Sequence, residues 1–149
     1  METITHNISI SVPPSEVYEA FSSLGGMRSW WTNAISGNPD KNGELTQQFG
    51  MDRHIVFSVS GIKKNSFMSL TGVSSNFDDG TELVGTTLTL KVMTNAAHQT
   101  NLSFVQDGWK AATPFYKAQS KLWNARLQSL KKICEQGKGD PEIVTLPRK

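Results

Sequence analysis

The residues able to do chemistry are few and scattered. The three histidines, His6, His54 and His98, stand far apart, in none of the HxH, HxxxH or HExxH spacings that bring metal donors together. Cys134 is the only cysteine, so it can close no intramolecular disulfide, and no histidine lies near it in sequence to activate a thiolate. No metal and no cofactor is expected. Runs of the GxSxG, P-loop and GxGxxG types are absent, which removes the motif support for acyl transfer, nucleotide hydrolysis and dinucleotide binding. The adjacent carboxylates Asp78 and Asp79 precede Gly80 and read as a turn rather than a catalytic pair. Glu82, His54 and Asp107 remain as candidates for a general acid or base, a role that needs a positioned group titrating near the working pH. For Asp107, just before Gly108-Trp109, capping of backbone amides is the simpler role.

The aromatic residues carry more information. Trp30, Trp31, Phe49, Phe57, Trp109, Phe115 and Trp123 come from distant parts of the chain, and four tryptophans is generous for 149 residues. Each such ring buries ~150–250 Å², enough to fill a core or to line a cavity of ~300–1,000 Å³ for an apolar ligand. Gln47, His54 and Gln119 supply polar groups that would orient such a ligand. His54, however, has the opposite parity to Ile55, Phe57 and Val59, which equally points it toward solvent.

These side chains need a scaffold, and the periodicity describes one. Ile4, Ile8, Ile10 and Val12 alternate with polar residues and predict a half-buried strand, ended by Pro13-Pro14. Val17, Ala20 and Phe21 then recur at helical spacing, with Glu16 and Glu19 toward water, and Gly25-Gly26 breaks this helix before a further turn to Trp31. Residues 32–43 are rich in turn formers and read as a loop. Strand-like runs follow over 44–50, 54–61, 67–73, 83–93 and 100–104, with turns at Lys63-Lys64-Asn65, at 76–80 and at Asn95-Ala96-Ala97-His98. After Trp109 the period becomes helical. Phe115, Tyr116, Gln119, Leu122, Trp123, Arg126, Leu127, Leu130, Ile133 and Cys134 form one stripe, and Gly137 and Gly139 end the helix. About 24 residues at ~1.5 Å each span roughly 36 Å, enough to cross a small sheet. Residues 1–139 are expected to form one domain, and 140–149 an extended tail whose Ile143, Val144 and Leu146 are the residues available to dock.

Charge and hydropathy bound the partners. Fifteen Lys and Arg against 13 Asp and Glu give a net charge of +2, without the clustered basic face that nucleic-acid binding requires. Much of the positive charge, Lys110, Lys117, Lys121, Arg126, Lys131 and Lys132, falls on or beside the last helix and reads as its solvated face. Arg126 is thus placed both with the cations and in the buried stripe. No run is long enough to span a bilayer, the first residues carry no basic leader or apolar signal region, and the lone cysteine suits a reducing compartment, so a cytoplasmic protein is expected.

The strand ending in Val12-Pro13-Pro14-Ser15-Glu16-Val17-Tyr18-Glu19-Ala20-Phe21, then Trp30-Trp31, the run of strands, Gly108-Trp109, and the final helix with Trp123 and Leu127 resemble the START-like helix-grip superfamily. Within it the pattern is most similar to bacterial homologues of the activator of heat-shock protein 90 ATPase, over nearly the whole chain. The resemblance implies an α+β fold: a curved antiparallel sheet of six or seven strands, two short N-terminal helices, and a long C-terminal helix over the concave face. Members of the superfamily include lipid or sterol carriers, polyketide cyclases and co-chaperone modules. Eukaryotic activators carry an additional N-terminal domain for which this chain has no room. The leading expectation is a hydrophobic or amphipathic small molecule bound between sheet and helix. A chaperone-associated interaction module and a cyclase- or hydratase-type enzyme are the alternatives. A narrow apolar cavity would favour binding, a buried ionisable group in an open cavity the enzyme, and a filled core the interaction module.

Overall fold

The computed structural model describes residues 2–49, 52–95 and 99–144. The expected turn through Ala96, Ala97 and His98, the end of the strand run at Gly50, and the tail beyond Val144 lie outside them.

Seven strands form one antiparallel sheet in the order β1-β7-β6-β5-β4-β3-β2. They are β1 (Glu2–Ile10), β2 (Ile35–Gly37), β3 (Glu44–Gln48), β4 (His54–Lys63), β5 (Phe67–Ser75), β6 (Thr87–Thr94) and β7 (Thr100–Trp109). The expected α+β helix-grip architecture is therefore the one observed. Alternation explains the sheet's faces: Ile55, Phe57 and Val59 of β4, Leu88, Leu90 and Val92 of β6, and Leu102 and Phe104 of β7 are all buried. Register shifts along β4–β5, between Val56 and Phe57 and between Val59 and Gly61, bend the sheet where a bulge increases local twist.

Three helices cover one face. In α1 (Pro14–Ser22), Val17, Tyr18 and Phe21 are buried and Ala20 half-buried, while Glu16 and Glu19 face water. Proline at the first helical turn costs no hydrogen bond there. In α2 (Leu24–Trp30), the Ser23 hydroxyl caps the helix by accepting from Gly26 N–H at 3.0 Å. A Cβ on Gly26 would meet the Ala20 carbonyl oxygen at 2.2 Å, so glycine sets the close approach of these two helices. The long α3 (Pro114–Gln136) begins at Thr113, whose hydroxyl accepts from Tyr116 N–H at 3.1 Å, and ends at Gly137 with φ 79°. A left-handed residue is favourable there only without a Cβ.

Three departures from the sequence expectation matter for the site. The loop over 32–43 contains β2, only three residues long and paired Ile35 to Gln47. A one-turn 3-10 helix occupies Asp79–Leu83, where a turn and the start of a strand were expected. Finally, β7 runs on to Trp109 through Gly108, whose φ of 87° requires a residue without a side chain.

Candidate functional site

The ten candidate residues fall into three groups rather than around one open space. In the centre, Trp30, Trp31, Phe57 and Trp123 pack together with Phe104. Ring centroids lie 5.8 Å apart for Trp30–Trp31, 5.1 Å for Trp31–Trp123, 6.2 Å for Trp31–Phe57 and 4.5 Å for Phe104–Trp123. None of these side chains is more than 2% exposed. Rings thus occupy the space between helix and sheet where a ligand lumen was expected. Gln47 and Gln119 are also buried. Trp30 Nε1 donates to the Ala20 carbonyl at 2.8 Å, but Trp31 Nε1 and Gln47 Nε2 have no protein partner.

The second group lies at one end of the sheet. Phe49 is half-buried edge-on to Phe77 at 5.2 Å, and Arg53 lies 5.6 Å over the Phe77 ring. His54, the first residue of β4, is half-buried, and its backbone N–H donates to Asn76 Oδ1 at 2.7 Å. Neither residue belongs to the tryptophan cluster.

The third group, where β7 hands over to α3, borders a cleft. Trp109 is 1% exposed, with Phe115 at 6.1 Å and Tyr116 edge-on at 5.4 Å. Beside it, Thr81, Glu82, Val84, Gly108, Lys110, Ala111 and Thr113 enclose a space of about 250 Å³. Thr113 connects the parts: its hydroxyl accepts from the first turn of α3 and donates to the Glu82 carboxylate. The positive end of the helix dipole favours an anion there. Trp109 Nε1 is buried and has no hydrogen-bond partner among the described residues. The cleft therefore offers an anionic acceptor, a cation and an indole floor.

Sequence reasoning singled out Trp109 and weighed Glu82, but missed Lys110 and Thr113 as parts of one site. It placed Arg126 both with the solvated cations and in the buried stripe, and the structure buries it to 4% exposure. Its guanidinium lies 4.7 Å over the Trp123 ring and 5.9 Å over that of Trp31, and Nε donates to Glu142 Oε1 at 3.0 Å. Membership of the Leu122–Trp123–Leu127 stripe was the signal for this burial.

Comparison with known proteins places this geometry. Residues 11–135 match the family described as activator of Hsp90 ATPase homolog 1-like protein. The chain belongs to that family. No curated protein matches it. Among solved structures of similar fold is the Aha1 dimer from Colwellia psychrerythraea, 27% identical, with a TM-score of 0.81 and coverage of 93% of this chain and 100% of that one. SSP2350 from Staphylococcus saprophyticus, at 16% identity and TM-score 0.73, covers 95% of this chain and 98% of its own. CalU16 from Micromonospora echinospora, at 12% and 0.70, covers 93% and 76%. The last two likenesses concern the fold alone.

Within this AHSA1-type fold the three acid–base candidates do not converge. Glu82 borders the Trp109 cleft, whereas neither His54 nor Asp107 is among the residues around it, and Asp107 is exposed. Cys134, half-buried on α3, has its thiol pushed up to about 11 by burial, with Glu16 and Glu135 adding repulsion. Against an ordinary value of 9.0 this lowers the thiolate fraction at pH 8 by roughly 100-fold. Because a more basic thiolate is also the better nucleophile, labelling with a disulfide reagent at pH 8 should be slower by about tenfold than for a free thiol. Labelling at the free rate would show that the helix leaves Cys134 open. Among the described residues, no helix is long and apolar enough to cross a membrane.

Proposed function

We propose that this AHSA1-type domain binds a small amphipathic molecule in the cleft at the start of α3, with Trp109 as its apolar wall. The observation that carries the reading is the convergence of Glu82, Lys110 and the Trp109 side chain on one space of about 250 Å³. The Glu82 carboxylate would accept from a ligand hydroxyl, and Val84 and Ala111 would shield its apolar part. This moves the leading expectation from the interior, where rings fill the space, to the end of the grip. The size of the cleft fits a ligand held by one end or a compact planar one, rather than a fully enclosed sterol.

Indole resonances of the intact protein, titrated with a hydroxylated flavonoid, a fatty acid and a sterol, provide the test. Trp109 is expected to shift first, with Glu82→Gln weakening the flavonoid about tenfold, as loss of one charge-assisted hydrogen bond implies. Absence of binding below millimolar concentration for every compound would sink this reading.

A second reading has its own support. The packed tryptophan centre was the outcome expected of an interaction module, and the family description and the dimeric Colwellia relative both point to protein partners. Stimulation of ATP hydrolysis by an Hsp90 on adding the chain would support it. Unchanged hydrolysis together with no complex by analytical ultracentrifugation would remove it.

A further inference from the structure

Beyond Gly137 the chain turns back across α2 and α3, and its contacts there are polar. Glu142 N–H donates to the Trp31 carbonyl at 2.9 Å, and Asn33 N–H donates to the Glu142 carbonyl at 3.1 Å, forming a parallel bridge between Thr32 and Glu142. Ser129, 4% exposed, donates to the Trp30 carbonyl at 2.9 Å and accepts from Asp140 N–H at 2.7 Å. The strap thus holds its position through backbone bonds and through the side chains of Ser129 and Asn33, independently of the Glu142 side chain. Ile143, expected as a docking residue, is instead 73% exposed. What enters the protein from the strap is one carboxylate.

That carboxylate meets Arg126 imperfectly. Arg126 Nε donates to Glu142 Oε1 at 3.0 Å, and Nη2 stands 3.0 Å from the same oxygen but is not aligned to donate to it. A guanidinium edge accommodates two carboxylate oxygens side by side, so a buried N–H is left without an acceptor. The Glu142 side chain is 35% exposed and can rotate outward without breaking the backbone bridge. Over Arg126 lies a groove of about 410 Å³, bordered by Trp31, Leu122, Ala125, Gln128, Asp140 and Glu142, and its lining is mainly apolar. It shares no residue with the Trp109 cleft, so its fate is separate from that of the function proposed above.

We propose that this groove is a second binding site, for an alkyl monocarboxylate, in which Glu142 acts as a tethered stand-in for the ligand. The ligand carboxylate replaces Glu142 on Arg126 and accepts from both Nε and Nη2, while its chain covers Leu122, Ala125 and the edge of Trp31. Asp140, already paired with Lys132 at 3.0 Å, stays at the rim and disfavours a second negative charge. A phosphomonoester therefore fits less well than a carboxylate.

The test compares octanoate, octanol and octyl phosphate on the full chain by 15N-resolved NMR, reading the Arg126 Nε–H and the Trp31 and Trp123 indole signals. In the wild type, octanoate at millimolar concentration shifts the Arg126 signal and octanol does not. In Glu142→Gln the internal competitor, present at an effective concentration in the millimolar range, is gone, and octanoate binding tightens by about tenfold or more. Adding Arg126→Lys to that variant abolishes the advantage of octanoate over octanol, because an ammonium lacks the two-pronged edge. Equal octanoate affinity in the wild type and Glu142→Gln overturns the stand-in role. Equal binding of octanoate and octanol, or an unmoved Arg126 signal, overturns the carboxylate site. Tighter binding of octyl phosphate overturns the monocarboxylate assignment. Because the wild-type titration stands alone, an unfolded variant would leave the carboxylate site decidable.

Discussion

Replacing Trp123 by alanine is expected to cost about 3–5 kcal/mol of stability, the range for removing a large buried aromatic. Trp123 is 1% exposed and sits where four other groups meet: Phe104 stacked at 4.5 Å, Trp31 at 5.1 Å, Trp30 at 6.4 Å, and the Arg126 guanidinium at 4.7 Å. Alanine would remove the wall shared by these rings, and the fused neighbours cannot close in, since Trp30 is held by its bond to Ala20 and Phe104 by its place in β7. It would also strip Arg126 of a π face worth about 0.5–2 kcal/mol. Domains of this kind have ~5–15 kcal/mol in total, so the variant should lose a large fraction of its stability. Urea unfolding followed by far-ultraviolet circular dichroism gives the number without relying on tryptophan emission. A loss under ~1 kcal/mol would mean that the interior closes around the gap, and that the cluster is softer than its ring distances imply.

That central cluster also shows how far the sequence could be read. Ile4 and Ile10, Ile55 to Val59 and Leu88 to Val92 disclose their strands because alternation is forced by the pleat, and the stripe from Gln119 to Leu130 discloses α3 because burial repeats with the helix turn. Periodicity needs several repeats to register. The three residues of β2 and the single turn at Asp79–Leu83 fall below that length, and in both places turn-forming residues dominate. Parity predicts which face a side chain takes, yet says nothing of its position along a curved sheet. Phe49, Phe57 and Trp109 all belong to or pack against one core, but their ring partners differ: Phe57 packs on Trp31, Phe49 on Phe77, and Trp109 on Phe115 and Tyr116. Arg126 was left with two readings for another reason. A cation in a buried stripe is legible only together with its compensating partners, and these are two rings and a glutamate beyond the end of the helix.

Glu142→Ala is expected to destabilise the protein by about 2–3 kcal/mol, whereas Arg126→Met should cost no more than about 1 kcal/mol. The asymmetry follows from which partner is left behind. Burial lowers the Arg126 pKa and the nearby Glu142 raises it, but a guanidinium stays charged throughout the working range. Removing Glu142 therefore strands a cation that is only 4% exposed. Breaking a fully buried pair in this way costs about 3–5 kcal/mol, and the smaller figure reflects the 35% exposure of the Glu142 side chain, which lets water reach the site. Removing Arg126 instead leaves a carboxylate that is already partly solvated. Methionine fills a similar volume, carries no charge to desolvate, and can place its sulfur against Trp31 and Trp123. The decisive measurement is the double variant in urea unfolding. With the cation gone, the alanine at 142 should add almost nothing, so that the double variant is less destabilised than Glu142→Ala alone and the coupling energy is about 2 kcal/mol. Strictly additive losses would mean that Glu142 contributes through the backbone strap it belongs to, and that Arg126 is held by its two rings without need of a counter-charge.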